Sequence, residues 1–229
     1  MGQKVHSIGF RILSNKNYLW QSTWYSKQTY FADKLLEDIK IRSLVMKRFK
    51  TSGVSKVLIE RPSNKIDVNI YSSKPGVIIG KKGADIANLK SQVSQFTSSQ
   101  VTVNVIEVKK PEVDAHLVAQ NIASQLEKRV SFRKAIKRAI FSAMKMGAKG
   151  IRINVKGRIG GSDIARMEWY REGSVPLHTI RAPITYSQVP SYTKDGTLGV
   201  KVWVHYEQKK DLKSSGGLRK NKNVTSKKR

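Results

Sequence analysis

The sequence predicts an α+β protein in which a small mixed unit precedes a two-layer unit of two helices and four antiparallel strands. Between Tyr30 and Phe49, apolar residues recur every three or four positions, which is the period of a helix. Elsewhere, runs such as KIDVNIYSS and LGVKVWVHY alternate between apolar and polar residues, as strands do. Because turns containing glycine or proline separate these runs, both helices and strands contribute to the fold.

The first 28 residues lack a regular period. Met1–Trp24 combines glycines, basic side chains and aromatic residues. We expect residues 1–28 to form an extended arm that becomes ordered against a partner. The alternative is a strap that crosses the protein's own core.

Residues 29–110 are predicted to form the first folded unit. It begins with one amphipathic helix, or two consecutive helices, that end before Gly53. Two strands follow, SKVLIERP and KIDVNIYSS, joined by a turn. After the glycine loop VIIGKKG come a helix over Ala84–Gln95 and a third strand from Ser99. The predicted order is helix, strand, strand, glycine turn, helix, strand.

Residues 111–206 are predicted to form the second unit, in which Pro111 opens the first of two helices. Gly147 ends the second helix, whose apolar stripe is Phe132, Ala135, Ile136, Ala139, Ile140 and Ala143. Four strand-like runs follow: KGIRINVKG, DIARMEWYREG, TIRAPITY and LGVKVWVHY. Residues 207–229 are basic and aperiodic, so we expect a tail that is disordered unless bound.

The charge balance indicates a polyanionic partner. The 229 residues include 44 Lys and Arg against 16 Asp and Glu, which gives a net charge of +28. The surplus is spread along the chain, since residues 1–110 hold 19 basic and 7 acidic side chains and residues 111–229 hold 25 and 9. Such a chain repels itself unless a polyanion neutralises it. Nucleic acid is the first candidate and an anionic membrane surface the second.

Several classes of protein are disfavoured. No stretch reaches the roughly 18 apolar residues of a membrane-spanning helix, and the N-terminus lacks the apolar core of a secretion signal. The absence of cysteine excludes disulfides and thiol catalysis and fits a reducing, cytosol-like compartment. The histidines are scattered, so we expect neither a metal site nor a cofactor; they are His6, His116, His178 and His205.

The loop GKKG, Gly80 to Gly83, is the first candidate site. It is not a Walker loop, because three residues rather than four separate Gly76 from Gly80 and no Ser or Thr follows the lysine. Two glycines permit close approach of a sugar–phosphate chain, while Lys81, Lys82 and the next helix N-terminus attract phosphate. This is the pattern of the GXXG loop of KH domains, with Ile78, Ile79 and Ile86 expected along an apolar groove. The alternative is an ordinary lysine-rich turn.

The second candidate site is the polar face of the helix that carries the apolar stripe. Arg133, Lys134, Lys137 and Arg138 share one broad face, and Arg129 lies nearby. Like charges at i and i+4 destabilise a helix, so the pairs 133/137 and 134/138 favour phosphate binding over a generic solvated face.

The third candidate site spans Gly157–Ala182. Its arginines suit phosphate and its aromatic rings suit bases; the candidates are Arg158, Arg166, Trp169, Arg171 and Arg181. Lys4 and Arg11 of the arm are further candidate RNA contacts. Asp163, Glu168 and Glu172 would suit a metal-dependent nuclease, but each has an arginine close by and no histidine at ligand spacing. A nuclease is therefore the weaker interpretation.

Several long motifs together resemble one family. They are MGQKVH, IERP, PGVIIGKKG, LVAQNIASQLEKRVSFRKAIKRA, MGAKGIRINVKGRIGG and IARMEWYREGSVPLHTIRA. From Met1 to about Val204 the chain resembles the bacterial-type small-subunit ribosomal protein S-three family. The resemblance implies a type II KH domain followed by a family-specific C-terminal domain, a non-enzymatic role, and a place in the head of the small subunit. The implied partners are 16S-type ribosomal RNA, messenger RNA and head proteins of the S-ten and S-fourteen types.

The resemblance also implies roles for particular residues. In that family, basic residues of the long helix face the incoming message at the entrance of its channel and assist its unwinding, and the matching positions are Arg133, Lys134 and Lys137. Lys134 stands where many relatives carry arginine, which removes a bidentate phosphate contact but keeps the charge. A free KH regulator of messages is the alternative, although such proteins usually repeat the KH unit and only one such unit is predicted here.

Overall fold

The structure is a computed structural model that describes residues 4–12, 14, 20–63, 65–97 and 99–206. The predicted tail at 207–229 and parts of the predicted arm lie outside these residues, as does the side chain of Lys82. Two α+β units follow one another along the chain. In the described part of the chain, no helix is long and apolar enough to span a bilayer.

The first unit has the predicted order of elements and two additions. Strand β1 (Ser22–Thr23) precedes helix α1 (Gln28–Arg48), which is one continuous helix rather than two. Then come β2 (Val54–Glu60), β3 (Lys65–Ser72), α2 (Pro75–Ile79), α3 (Ala84–Ser94) and β4 (Gln100–Glu107). The sheet order is β1-β2-β3-β4; β2 and β3 are antiparallel, whereas β1 pairs with β2 and β3 with β4 in parallel. The helix–strand–strand–helix–helix–strand order is that of a type II KH domain.

The core of this unit lies between the helices and one face of the sheet. Ile41 and Val45 of α1 meet Ile59 and Ile70 of the strands and Leu89 of α3. Burying such side chains stabilises the fold by about 1.5–3 kcal/mol each. Only the C-terminal half of α1 reaches this core, because its first two turns expose their apolar residues to solvent.

The second unit confirms the predicted two-layer arrangement of two helices on a four-stranded antiparallel sheet. Its elements are α4 (Ala115–Glu127), α5 (Phe132–Lys145), β5 (Ala148–Gly157), β6 (Arg166–Gly173), β7 (Ile184–Thr193) and β8 (Gly196–Tyr206). The sheet order is β6-β5-β8-β7, and all three pairs are antiparallel. Both helices cover one face, where Ile122 and Ile136 pack on Ile151, Ile153 and neighbouring apolar residues.

Two predicted boundaries in this unit are wrong. Pro111 opens only a short 3-10 turn, and α4 begins at Ala115 because the Asp114 carboxylate accepts the backbone N–H groups of His116 and Leu117. The third strand begins at Ile184 rather than near Thr179. A turn precedes it, in which the N–H of Ala182 donates to the carbonyl of Thr179.

The N-terminal segment packs on the second unit, which overturns the prediction of an extended arm for residues 4–12. Trp203 Nε1 donates to Ser7 Oγ at 3.0 Å, and His6 makes an edge-on contact with the ring of Tyr186. Arg11 is 1% exposed and its guanidinium donates to backbone carbonyls of this unit, including Leu177 and Ala182. The strap alternative is therefore correct for these residues, because their polar groups find partners within the protein.

Candidate nucleic-acid interface

The GKKG loop joins α2 to α3 through two glycines in unusual conformations. Gly80 has φ 71° and ψ −177°, and Gly83 has φ 78° and ψ 10°. Both angles fall where side-chain-bearing residues are strained, so glycine is required by the path of the backbone. Gly83 is the N-cap of α3, whose first amides carry the positive end of the helix dipole.

The two glycines differ in the space around them. A Cβ at Gly83 would meet nothing within 4 Å, whereas a Cβ at Gly80 would lie 2.0 Å from Oδ2 of Asp85. The open side of the loop is therefore at Gly83, beside the exposed Lys81. Ile79 is partly exposed next to the loop, but Ile78 is fully buried in the core and cannot line a groove as predicted.

The first half of helix α5 presents four cations to solvent. Arg133, Lys134, Lys137 and Arg138 are all exposed, while Ile136 on the opposite side is fully buried. At about 100° per residue, the four cations span an arc of about 140° on the helix. No ion pair joins any of them to a carboxylate in the described part of the structure. The four positive charges are thus free to meet an anion.

The sequence around α5 contains no compensating acid. Residues 128–162 include eleven basic side chains and no acidic one. Arg129 lies in the turn between α4 and α5 with φ 58°, a left-handed conformation. Its N–H donates to the carbonyl of Leu126, and the next N–H, of Val130, donates to Gln125. This is a Schellman motif with arginine at the position that usually holds glycine.

The arginines predicted in the third region have different surroundings. Arg158 is held in a loop by the carbonyls of Ser162 and Asp195 and by the carboxylate of Asp163 at 3.2 Å. Arg166 lies 3.8 Å from the carboxylate of Glu168. Arg171 on β6 and Arg181 in the turn before β7 are exposed and form no ion pair with a described residue.

The acidic residues of this region do not form a metal site. No group of three His, Asp or Glu side chains in the described residues could hold an ion. Asp163 and Glu168 each face an arginine, as predicted from the sequence.

Trp169 belongs to a cationic face of the sheet that sequence reasoning identified only in part. The guanidinium of Arg152 lies 5.2 Å from the Trp169 ring and 5.4 Å from the Trp203 ring. Cross-strand pairing places further side chains on this helix-free face, namely Lys156, Arg171 and Lys201. Glu168 and Glu172 alternate onto the other face. We call Arg152, Lys156, Trp169, Arg171 and Lys201 the open sheet face.

The two predicted RNA contacts of the N-terminal segment, Lys4 and Arg11, differ in their exposure to solvent. Lys4 is exposed and available to a ligand. Arg11, predicted as an RNA contact, is a structural residue because its buried guanidinium is occupied by protein carbonyls.

The fold and these surfaces define a class: a KH protein with a second α+β unit and several exposed cationic faces. Comparison with known families agrees. The family described as "KH domain" matches residues 40–113, and the family described as "Ribosomal protein S3, C-terminal domain" matches residues 122–204.

Similar proteins identify the family. The chain is 55% identical over 205 residues to the small ribosomal subunit protein uS3 of Magnetococcus marinus, covering 90% of this chain and 96% of that protein. It is 53% identical to uS3 of Pelagibacter ubique over 90% of each chain, and 54% identical to uS3 of Parvibaculum lavamentivorans, covering 90% and 86%. The chain belongs to the small ribosomal subunit protein uS3 family.

Proposed function

We propose that this protein holds incoming messenger RNA on the cations of α5 at the entrance of the small-subunit channel and assists its unwinding. Membership of the uS3 family makes it a structural, non-enzymatic component of the small ribosomal subunit, located with the cytoplasmic ribosome. The observation that carries the proposal is the arc of exposed cations formed by Arg133, Lys134, Lys137 and Arg138, none of which forms an ion pair with a described residue.

The mechanism is electrostatic trapping. When a base pair of the message opens near α5, the released strand exposes phosphates that the cations bind, so reclosing becomes less favourable. No nucleotide hydrolysis is needed. Each phosphate held on a single strand contributes a slope of about −0.7 to the dependence of log affinity on log salt.

Ribosomal RNA is proposed to bind on other surfaces. The open side of the GKKG loop offers Gly83, Lys81 and the N-terminus of α3 to a sugar–phosphate chain. The open sheet face supports a second contact, because it combines four cations with the half-exposed ring of Trp169. Head proteins of the S-ten and S-fourteen types are proposed as neighbours, and the exposed apolar residues of α1 suit a protein contact; they are Phe31, Leu35, Leu36 and Ile39.

Replacing Arg133, Lys134 and Lys137 together with alanine tests the role of α5. Small subunits reconstituted with this variant should translate a message with a stable downstream hairpin more slowly, while translation of an unstructured message is unchanged. The reason is that holding a released strand affects the rate of translation only where a duplex must open. The measurement is the elongation rate on the two templates.

The matched control removes the same charge elsewhere, by changing the exposed Lys27, Lys40 and Lys47 to alanine. Equal slowing on both templates by the α5 variant, or the same hairpin effect in the control, would contradict the proposal.

The ribosomal RNA contacts are tested by chemical footprinting of assembled subunits. Changing Lys81 and Lys82 to aspartate should expose the nucleotides that the GKKG loop protects, and changing Lys156 and Lys201 to alanine should expose a different set. An unchanged footprint for either variant would remove that surface from the proposal.

A further inference from the structure

One exposed aromatic residue on α5 has no role in the core. Phe141 is 69% exposed, which makes it the most exposed of the chain's six phenylalanines. Phe132, at the start of the same helix, behaves differently: its ring packs against the core and lies 5.6 Å from the guanidinium carbon of Arg133. Phe141 therefore contributes little to packing within this unit.

The position of Phe141 on the helix is informative. Taking Arg133 as the origin and about 100° per residue, Lys137 lies at about 40°, Lys134 at about 100° and Arg138 at about 140°. Phe141 lies at about 80° on the same scale, in the middle of the arc. Lys137 precedes it by one turn and the exposed Lys145 follows it by one turn. The ring is thus surrounded by cations along and around the helix.

The charge of these surroundings selects the kind of ligand. If Phe141 lay at the centre of a protein–protein contact, the partner protein would have to cover the ring and also neutralise the four cations around it. Single-stranded RNA meets both needs, since its phosphates pair with the cations and its unpaired bases stack on an aromatic ring. Duplex RNA does not offer its base faces, because they are stacked within the helix.

We infer that Phe141 is a stacking platform for an unpaired base of the message held by α5. This inference rests on the proposed function and adds to it: the cations hold phosphates of any strand, whereas the ring favours a strand that is already open. The preference should follow stacking strength, so that adenine is held better than uracil.

The test compares Phe141→Leu, which keeps an apolar side chain but removes the ring, with the unmodified protein in reconstituted small subunits. Three messages differ only in the segment that follows the decoding region: oligoadenosine, oligouridine, or an abasic ribose–phosphate chain. Phe141→Leu should weaken binding of the adenine segment by about five- to twentyfold, the uracil segment less, and the abasic segment not at all. The salt slope should stay unchanged, because no cation is lost.

Two controls separate this inference from the proposed function. Phe96→Leu removes another exposed ring, far from α5 in sequence and in the first unit, and should leave all three affinities unchanged. Lys137→Gln should weaken all three segments and lower the salt slope by about 0.7.

Equal weakening of all three segments by Phe141→Leu would overturn the stacking role, as would no change in any. Loss of a neighbouring protein from the variant subunits, measured by mass spectrometry, would assign Phe141 to a protein contact instead and would also overturn it. If Lys137→Gln weakens binding while Phe141→Leu does not, only the stacking inference fails. If neither variant changes binding, the proposed function fails as well.

Discussion

Arg61 Nη2 lies 2.6 Å from Oδ1 of Asp38, and the side chains of both residues are almost wholly buried, at 6% and 0% exposure. The other carboxylate oxygen of Asp38 accepts the Ser22 hydroxyl and the Trp24 indole N–H, each at 2.8 Å. One carboxylate on α1 therefore holds the residue after β2 and the residues around β1. This explains how a strand of two residues stays attached to the edge of the sheet.

Asp38→Asn should lower the free energy of unfolding by about 3 kcal/mol, because it leaves the buried guanidinium of Arg61 without its closest charge partner. Glu37, at 2.8 Å from Arg61 Nη1, limits the loss. Urea unfolding of the full chain measures the effect. Asp33→Asn, on the exposed side of the same helix, should change stability by less than about 0.5 kcal/mol. Equal effects of the two variants would show that the buried pair contributes nothing.

Arg11→Ala should destabilise the protein without a direct loss of RNA contacts. The substitution leaves several buried backbone carbonyls without a donor, so we expect a loss of about 3 kcal/mol or more in unfolding free energy. Lys4→Ala is the matched variant, because Lys4 is exposed and should leave stability unchanged. At a temperature where both variants are folded, the salt slope for RNA binding should be normal for Arg11→Ala. A reduced salt slope for Arg11→Ala would indicate instead that Arg11 contacts RNA directly.

His116 should make stability depend on pH. Burial lowers the pKa of His116 below its ordinary value of 6.5, although the nearby Asp114 raises it in part. Nδ1 of the ring lies 2.9 Å from the Ser187 hydroxyl. The unfolded chain binds a proton at a pH where the folded chain does not, so the stabilisation is complete above about pH 6.5 and is lost as pH falls toward the folded pKa.

His116→Gln should flatten this dependence, measured as the difference in unfolding free energy from the unmodified protein between pH 7.5 and pH 5. His178→Gln, at an exposed site, should follow the unmodified protein. A His116→Gln curve parallel to the unmodified one would mean that this ring is not the titrating group.

Arg129 should show a conflict between stability and binding. Removing the Cβ of residue 129 relieves the steric strain of its left-handed conformation, so Arg129→Gly should raise the free energy of unfolding by about 0.5–1 kcal/mol. The same change should weaken binding of single-stranded RNA and lower the salt slope by about 0.7. Arg129→Ala separates the two effects, since it loses the charge and keeps the strain. Unchanged binding in both variants would exclude Arg129 from the interface.

Local patterns predicted most of the elements, and longer-range contacts account for what was missed. The order of helices and strands could be predicted because apolar residues recur every three or four positions in a helix and at every second position in a strand. Helix α2 was missed because five residues, PGVII, are too few to show one. The strap was misassigned because the partners of Arg11 in the second unit lie more than 160 positions away, where no spacing rule applies.

The candidate site likewise has one part that local sequence patterns predict and another part that depends on longer-range contacts. The cations of α5 were predicted because one helix brings them together. The open sheet face was found only through Trp169 and Arg171, since Arg152, Lys156 and Lys201 join them through strand pairing across β5, β6 and β8. The alternation of polar and apolar residues in KGIRINVKG already indicates that Arg152 and Lys156 lie on the same face of a strand.

The strap also bears on how the protein is made. Ser7 precedes its partner Trp203, near the end of β8, by 196 positions. During translation, Ser7 must remain without this partner until β8 has been synthesised, whereas the sequence of the first α+β unit is complete well before that point. Closure of the second unit by the strap is therefore a late step of folding, which can follow only after β8 has been synthesised.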